Sequence, residues 1–449
     1  MYALDAGGHV KAGWPFAPPG IVAFGTPAVA GDGTVYVVGW AFGQPAHHGP
    51  GSNAMHLWAL DPSGRVKPGW PYAAEGSMFG GDVGLSISAV GGVIFVQSLA
   101  PASVPPTYEA VELDPGGQVQ AGWPVTLPGS IACGSGPCIA IAGDGTWYAM
   151  ALLDQGPAAE IVALGPDGTP KPGWPVRIAG GEGFALGPGG SVYAWGSDVT
   201  GTAGTGPGPR ILRTQFVVLG PDGAPRPGWP VTVTGPAGIP TIGSYGTLYT
   251  TTGGSPGQVE RVMALGADGS ERRGWPYTLP RDLAAWPYGP SAGMPARATS
   301  PSVGPDGTVY LLVSHAGDIS GPPGLLALAP DGRVVPGWPA WLPSGARFAN
   351  VGGFGTGGGA QPVPPAFGTG GTTFVAILSN GGQAAIMALD PSGHEKLGWP
   401  LAVGQGIEAT TLVVGLAVDP GSGLQVTAQT DGGAITIVSV VPLTPDPTS

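Results

Sequence analysis

The sequence predicts an all-β fold, an eight-bladed β-propeller built from four-stranded antiparallel blades. Three observations predict it. Gly-Trp-Pro occurs eight times in 449 residues, at Trp14, Trp70, Trp123, Trp174, Trp229, Trp275, Trp338 and Trp399. The intervals between successive copies are 56, 53, 51, 55, 46, 63 and 61 residues, a repeat length that sets the architecture. Each interval holds four short strand-like runs punctuated by Gly-containing turns, and no segment sustains a 3.6-residue apolar period.

Within the template 26–71, residues 26–30 form a first strand of small residues and Gly-Asp-Gly (31–33) a tight turn. Thr-Val-Tyr-Val-Val (34–38) is a β-branched and aromatic second strand. After a variable loop, residues 55–61 form a third strand, Pro-Ser-Gly (62–64) a second turn, and 65–70 a fourth strand. The first turn recurs at 143–145, 187–190, 244–246 and 304–307. The second recurs at 166–168, 221–223, 267–269, 330–332 and 391–393. Asp-Gly and similar pairs supply the positive φ that tight hairpins require. Proline at the end of each unit suits an edge strand, where its missing N–H costs no ladder bond.

Each tryptophan then fills a slot between neighbouring units. Area alone gives about 4 to 6 kcal/mol gross per ring as an upper bound. Seven complete units lie between the Gly-Trp-Pro copies. Residues 1–15 and 401–449 supply complementary halves of an eighth, so the chain reads as one propeller domain over 1–449. Closing it with strands from both termini removes the open edges. The split is two strands plus two or three plus one, because 434–441 and Tyr2–Asp5 compete for one position.

Gly and Pro number 85 and 53, a fraction that elsewhere signals disorder, but here they occupy fixed places in an apolar repeat. Lys and Arg total 16 against 28 Asp and Glu, a formal charge of −12, which argues against nucleic acid or an anionic membrane surface as partner. No apolar run approaches the ~18 residues of a membrane span. No signal peptide opens the chain, which begins inside a repeat, so upstream residues can precede it in the natural gene. The two cysteines, Cys133 and Cys138, fit either a short-loop disulfide or two half-buried thiols, and make a poor zinc site.

Residues 300–313 followed by Leu-Leu-Ala-Leu-Ala-Pro-Asp-Gly (325–332) and Trp338 resemble the pyrroloquinoline-quinone-type propeller repeat. That family includes quinoprotein alcohol dehydrogenases and an outer-membrane assembly lipoprotein. The resemblance implies an eight-bladed ring in which a repeated Trp docks each blade on the next, and an extracytoplasmic location. The family's motif has Ala-x-Asp, a turn ending Thr-Gly, and Trp four residues after that Gly. Here Asp5, Asp61, Asp114 and Asp390 keep the acid, whereas Gly165, Gly220, Gly266 and Ala329 replace it. The Thr is absent, and Trp sits two residues further on.

Chemistry is expected where the repeat becomes uneven. Length varies in second-to-third-strand loops, up to Gly196–Arg210, and in fourth-to-first-strand loops such as Tyr277–Ala298 and Ala340–Pro362. These share one face, opposite the tight turns, and form the expected binding face. Its candidates are Arg210, Arg281, Trp286, Tyr288, Arg297, Trp341 and Arg347, with packing of the loops as their competing role. The quinone enzymes use a carboxylate base, calcium, an arginine and often an adjacent-cysteine disulfide. No adjacent pair exists here, and Glu75, Asp82, Glu182, Asp282 and Asp318 show no pairing by spacing.

The Asp-Gly turns offer one carboxylate each, too few for a calcium loop. His47, His48 and His56 surround one loop and read as solvated rather than metal-binding, while His315 stands alone. Residues 355–359 lack the Lys and helix of a phosphate loop. No cofactor is expected, neither pyrroloquinoline quinone nor calcium. The expected function is a monomeric, non-catalytic binding or scaffold propeller for a protein, small-molecule or glycan ligand. The alternatives are a quinone- or metal-dependent oxidoreductase with its site in the central funnel, and a carbohydrate-binding or carbohydrate-active propeller using Trp286, Tyr288 and Trp341 as stacking platforms.

Overall fold

The computed structural model describes residues 1, 3, 11–21, 23–24, 27–40, 56–73, 77–78, 85–88, 90–99, 107–131, 139–153, 158–200, 210–253, 260–285, 287–288, 297–298, 300–315, 322–351, 361–379, 383–402, 412–419, 423–429 and 435–440. Among them, regular structure is almost wholly β, with two single-turn 3₁₀ segments at Pro188–Gly190 and Thr369–Gly371. Both sit where a first turn is expected.

Seven antiparallel sheets follow one another with the strand order first, second, third, fourth. Their second and third strands are Val35–Trp40 with His56–Leu60, Val93–Leu99 with Thr107–Leu113, Trp147–Leu152 with Ala158–Leu164, Val192–Thr200 with Arg210–Leu219, Leu248–Thr252 with Arg261–Leu265, Val309–His315 with Gly324–Leu328, and Thr373–Leu378 with Ala384–Leu389. Leu412–Asp419, Gly423–Gln429 and Ile435–Val440 make a three-stranded sheet. At the other end of the chain, Lys11 N–H donates to Ala3 O at 2.9 Å, as Lys67 N–H does to Ala59 O at 2.8 Å. The N-terminal segment thus repeats a third-to-fourth-strand connection, and the C-terminal one supplies three strands.

Two details differ from the sequence reading. Residues 65–70 are not the fourth strand. They hold one bridge, Leu60–Val66, and a turn closed by Trp70 N–H on Lys67 O. The fourth strand is Tyr72–Ala73, and its counterparts likewise follow Gly-Trp-Pro, as at Val125–Leu127 and Val176–Ala179. Proline therefore leads into the edge strand rather than ending it. The second difference concerns the uneven segments. Tyr277–Ala298 contains the fourth strand Tyr277–Thr278 and half of the next first strand, Leu283–Ala285; the other half is Ser302–Val303. A two-stranded hairpin, Pro287–Tyr288 with Arg297–Ala298, interrupts it.

Ala340–Pro362 repeats the device. Arg347–Phe348 and Ala366–Phe367 pair with the same second strand, and Asn350–Val351 with Gln361–Pro362 forms the inserted hairpin. An edge strand tolerates such an insertion because only one side of it is committed to the ladder. The long connection in the fourth sheet shrinks to 201–209, since its flanks extend the second and third strands.

The chain divides into two compact units: Met1–Ala3, Val10–Asp198 and Gln215–Val231 in one, and Leu4–His9, Val199–Thr214 and Thr232–Ser449 in the other. In the first unit, apolar cores lie between successive sheets. Val93, Phe95, Val111 and Leu113 pack toward the first sheet, while their alternate neighbours Ile94, Val96 and Ala110 pack toward the third. Both faces of the sheet are buried, so its second strand opens with a continuous apolar run, Val93 to Val96, instead of alternating. In the second unit the same arrangement joins the fifth sheet to the sixth and the sixth to the seventh.

Candidate functional site

The two ends of each sheet differ in chemistry. At the turn end, six of the repeated indoles, Trp14, Trp70, Trp123, Trp174, Trp275 and Trp338, donate Nε1–H to a carbonyl in the following sheet's second turn. The acceptors are Pro62, Pro115, Pro166, Pro221, Pro330 and Pro391, at 3.0–3.3 Å. All six rings are buried, and most meet an aromatic ring edge-on, as Trp174 meets Tyr148 at 5.3 Å and 71°. The peptide bond from each of the eight tryptophans to its proline is cis. The preceding glycine is dictated by the same contact. Gly173 has φ +83°, and a Cβ there would lie 1.9 Å from Asp222 O; the other five copies repeat this at 1.9–2.0 Å.

The turn carboxylates are committed as well. Ten aspartates, from Asp32 to Asp390, each accept a hydrogen bond from the backbone N–H two residues on. Asp61 Oδ1 takes Ser63 Oγ–H, Ser63 N–H and Arg65 N–H at 2.7–3.0 Å, which holds its carboxyl below the ordinary value. Where Gly165, Gly220 and Gly266 stand in place of Asp61, the acid moves two residues along to Asp167, Asp222 and Asp268. Its Oδ1 then lies 2.6–2.9 Å from the position a Cβ at the glycine would take. One carboxylate per turn suffices, and Ala329 accepts the same shift of the acid to Asp331.

A basic residue after the second turn reaches back to the first in several sheets. Lys67 Nζ donates to Thr34 Oγ1 at 2.9 Å, Lys396 Nζ to Thr372 Oγ1 at 3.2 Å and Arg226 to Ser191 Oγ at 3.1 Å. Lys171 lies 3.9 Å from Asp144. These ties had no sequence signature beyond a cation four to six residues before the next strand.

The opposite, irregular end brings side chains together in the sixth sheet. His315 closes the second strand and pairs with Leu283 of the first; Trp341 closes the fourth and pairs with Gly324 of the third. The indole and imidazole stack with centroids 4.1 Å apart and 10° between planes. Gly324 makes this possible, because a Cβ there would lie 2.7 Å from the indole. Trp341 is half-buried against the core between the fifth and sixth sheets, and His315 is exposed. Arg281 is also exposed, two residues before the strand that pairs with His315.

Arg347 is exposed but is not brought to this pair. Its neighbour Phe348 packs toward the sixth sheet, so strand alternation turns Arg347 to the other face of the seventh. Arg210, Tyr288 and Arg297 occupy strand positions, Tyr288 directly opposite Arg297. Trp286, Cys133, Cys138, His47, His48, Glu75, Asp82, Asp318 and the run 355–359 lie outside the described residues. His56 begins a third strand and packs on Trp58, with centroids 5.5 Å apart. Glu182 is buried at a register shift in the first strand of the fourth sheet. Asp282 is exposed. Among the described residues no three His, Cys, Asp or Glu side chains converge as a metal site.

No protein family matches the chain, and no curated protein does. A solved structure of the eukaryotic initiation factor is similar over 94% of this chain and 91% of its own, at 12% identity and a TM-score of 0.50. That likeness concerns the fold alone. The chain is an all-β, propeller-like repeat protein. The hydrazine synthase of Kuenenia stuttgartiensis covers 80% of this chain and 95% of its own at 12% identity, with a TM-score of 0.40. A protein of unknown function from Bacteroides caccae covers 66% and 92% at 14% identity, with a TM-score of 0.28. No helix among the described residues is long and apolar enough to cross a membrane.

Proposed function

We propose that the chain is a non-catalytic binding protein that takes its ligand at the irregular end of its sheets. The observation that carries this reading is the Trp341–His315 stack, laid over Gly324 at that end. At the turn end, by contrast, indole N–H groups, carboxylates and several cations are already engaged with one another. A half-buried indole held in place by a glycine is a preformed platform, and preorganised aromatic surface lowers the ordering cost of binding. Such a platform also favours a ring-bearing ligand, sugars foremost. The finer fold reading belongs with this proposal: eight units of the pyrroloquinoline-quinone type, docked by tryptophan, the last shared by both chain ends, in a protein working outside the cytoplasm.

The test is a glycan array together with a pull-down, using the wild-type chain, Trp341→Ala and Gly324→Ala. Gly324→Ala removes no candidate contact and acts only by displacing the indole. Loss of a captured ligand in both variants, with thermal unfolding kept within a few degrees, is the expected result. Equal capture by all three proteins would place recognition elsewhere.

A further inference from the structure

The second sheet departs from a pattern that five other sheets share. In the first, third, fifth, sixth and seventh sheets, an aromatic residue on the second strand faces an alanine on the third, as in Tyr36–Ala59 and Tyr148–Ala163. In the second sheet the pair is Ile94–Glu112. A smaller residue on one strand makes room for a carboxyl on the other. Glu112 is 3% exposed, and its Oε2 meets no hydrogen-bond partner.

Strand alternation directs Glu112, with Ala110, toward the third sheet, where Trp147, Ala149, Val162 and Leu164 face it. None of these can ionise. Trp147 stands where other sheets have Val35 or Val309, is itself fully buried, and also leaves its Nε1–H without a partner. The hydroxyl of Ser88, a residue that is alanine at the equivalent positions Ala30 and Ala142, is placed to counter part of the effect of burial on the carboxyl. The charged side chains at the turn ends of these two sheets are Asp114, Asp144, Asp167 and Lys171. The three acids serve their own turns, and Lys171 pairs with Asp144.

We propose that Glu112 is a proton-controlled latch in the seam between the second and third sheets: neutral, it packs there; ionised, it loosens the seam. Burying a carboxylate with neither a cation nor a full set of donors is far more costly than burying the neutral acid. Desolvation accordingly raises the Glu112 value above that of an ordinary glutamate, against the opposing pull of Ser88. The folded chain therefore holds a proton that the unfolded chain has released. The seam's stability is fully present below the ordinary glutamate value of about 4.3 and is lost as pH rises through the higher folded one.

Thermal unfolding from pH 4.5 to 8, for wild type and Glu112→Gln, tests the latch. The melting temperature of Glu112→Gln is expected to gain on that of wild type as pH rises through the folded value and to hold that lead above it, because glutamine keeps the neutral shape. Infrared spectra of wild type should retain a neutral carboxylic-acid band at pH values where ordinary carboxylates have ionised, a band that Glu112→Gln lacks. Ile94→Tyr with Glu112→Ala restores the common pair and should remove the same pH dependence. Parallel melting profiles of wild type and Glu112→Gln would overturn the proposal. So would the absence of that band in wild type, which can be read even if a variant fails to fold.

Discussion

Gly173 and Trp174 form a single recognition unit at the residue scale. The glycine lets its backbone approach Asp222 O, and the indole then donates to Pro221 O at 3.0 Å while meeting Tyr148 edge-on. Trp174→Ala leaves a large void and an unpaired carbonyl, so it should cost about 3 to 5 kcal/mol. Gly173→Ala removes nothing, yet forces a Cβ onto a carbonyl at positive φ, and should cost at least about 2 kcal/mol. Urea unfolding midpoints with unchanged slope measure both; a neutral Gly173→Ala would show that the turn shifts freely. The tryptophan and its seam position were legible in the repeat. The reason for the glycine was not, because it lies in a carbonyl some fifty residues away in the chain.

At the scale of the element, each second turn is closed by one carboxylate. Asp61 accepts three hydrogen bonds and is held below its ordinary value, chiefly by the Ser63 hydroxyl. A lowered folded value means the contribution is present above about pH 3.9 and is lost as pH falls through the folded value. Asp61→Ala should therefore lower the melting temperature at pH 7, and its gap from wild type should close as the solution is acidified toward pH 2. A gap that persists there would indicate lost backbone packing instead. The turn sequences were legible because Asp-Gly chemistry is local. The fourth strand was misplaced by a few residues, since only pairing reveals that the ladder resumes after the proline. The uneven segments read as loops in the sequence; that they split a first strand depends on both halves meeting one partner strand.

Across the whole molecule, the uniform ends of the sheets carry the repeated turn and indole contacts, and the irregular ends are where ligand binding is proposed. Trp341→Ala, at an irregular end, should leave the unfolding midpoint within about 1 kcal/mol of wild type, far less than Trp174→Ala; comparable losses would make Trp341 a core residue rather than a platform. Trp341 is set in a defined aromatic contact, with Arg281 near in the chain to its partner strand and Arg347 on another face. In the sequence His315 stands apart from the other histidines. Nothing local marked it as the partner of Trp341, because the two are joined only through the register of four strands.

The sequence by itself determined the all-β class, the repeat and the positions of the turns, because period and turn chemistry are local quantities. Tertiary structure decided which carbonyl each indole meets, where the edge strands resume, and that Gly324 clears a place for Trp341. It also set Glu112 opposite Ile94 in an otherwise apolar seam. Each of those depends on the register between strands distant in sequence, and register is fixed only when the faces pack.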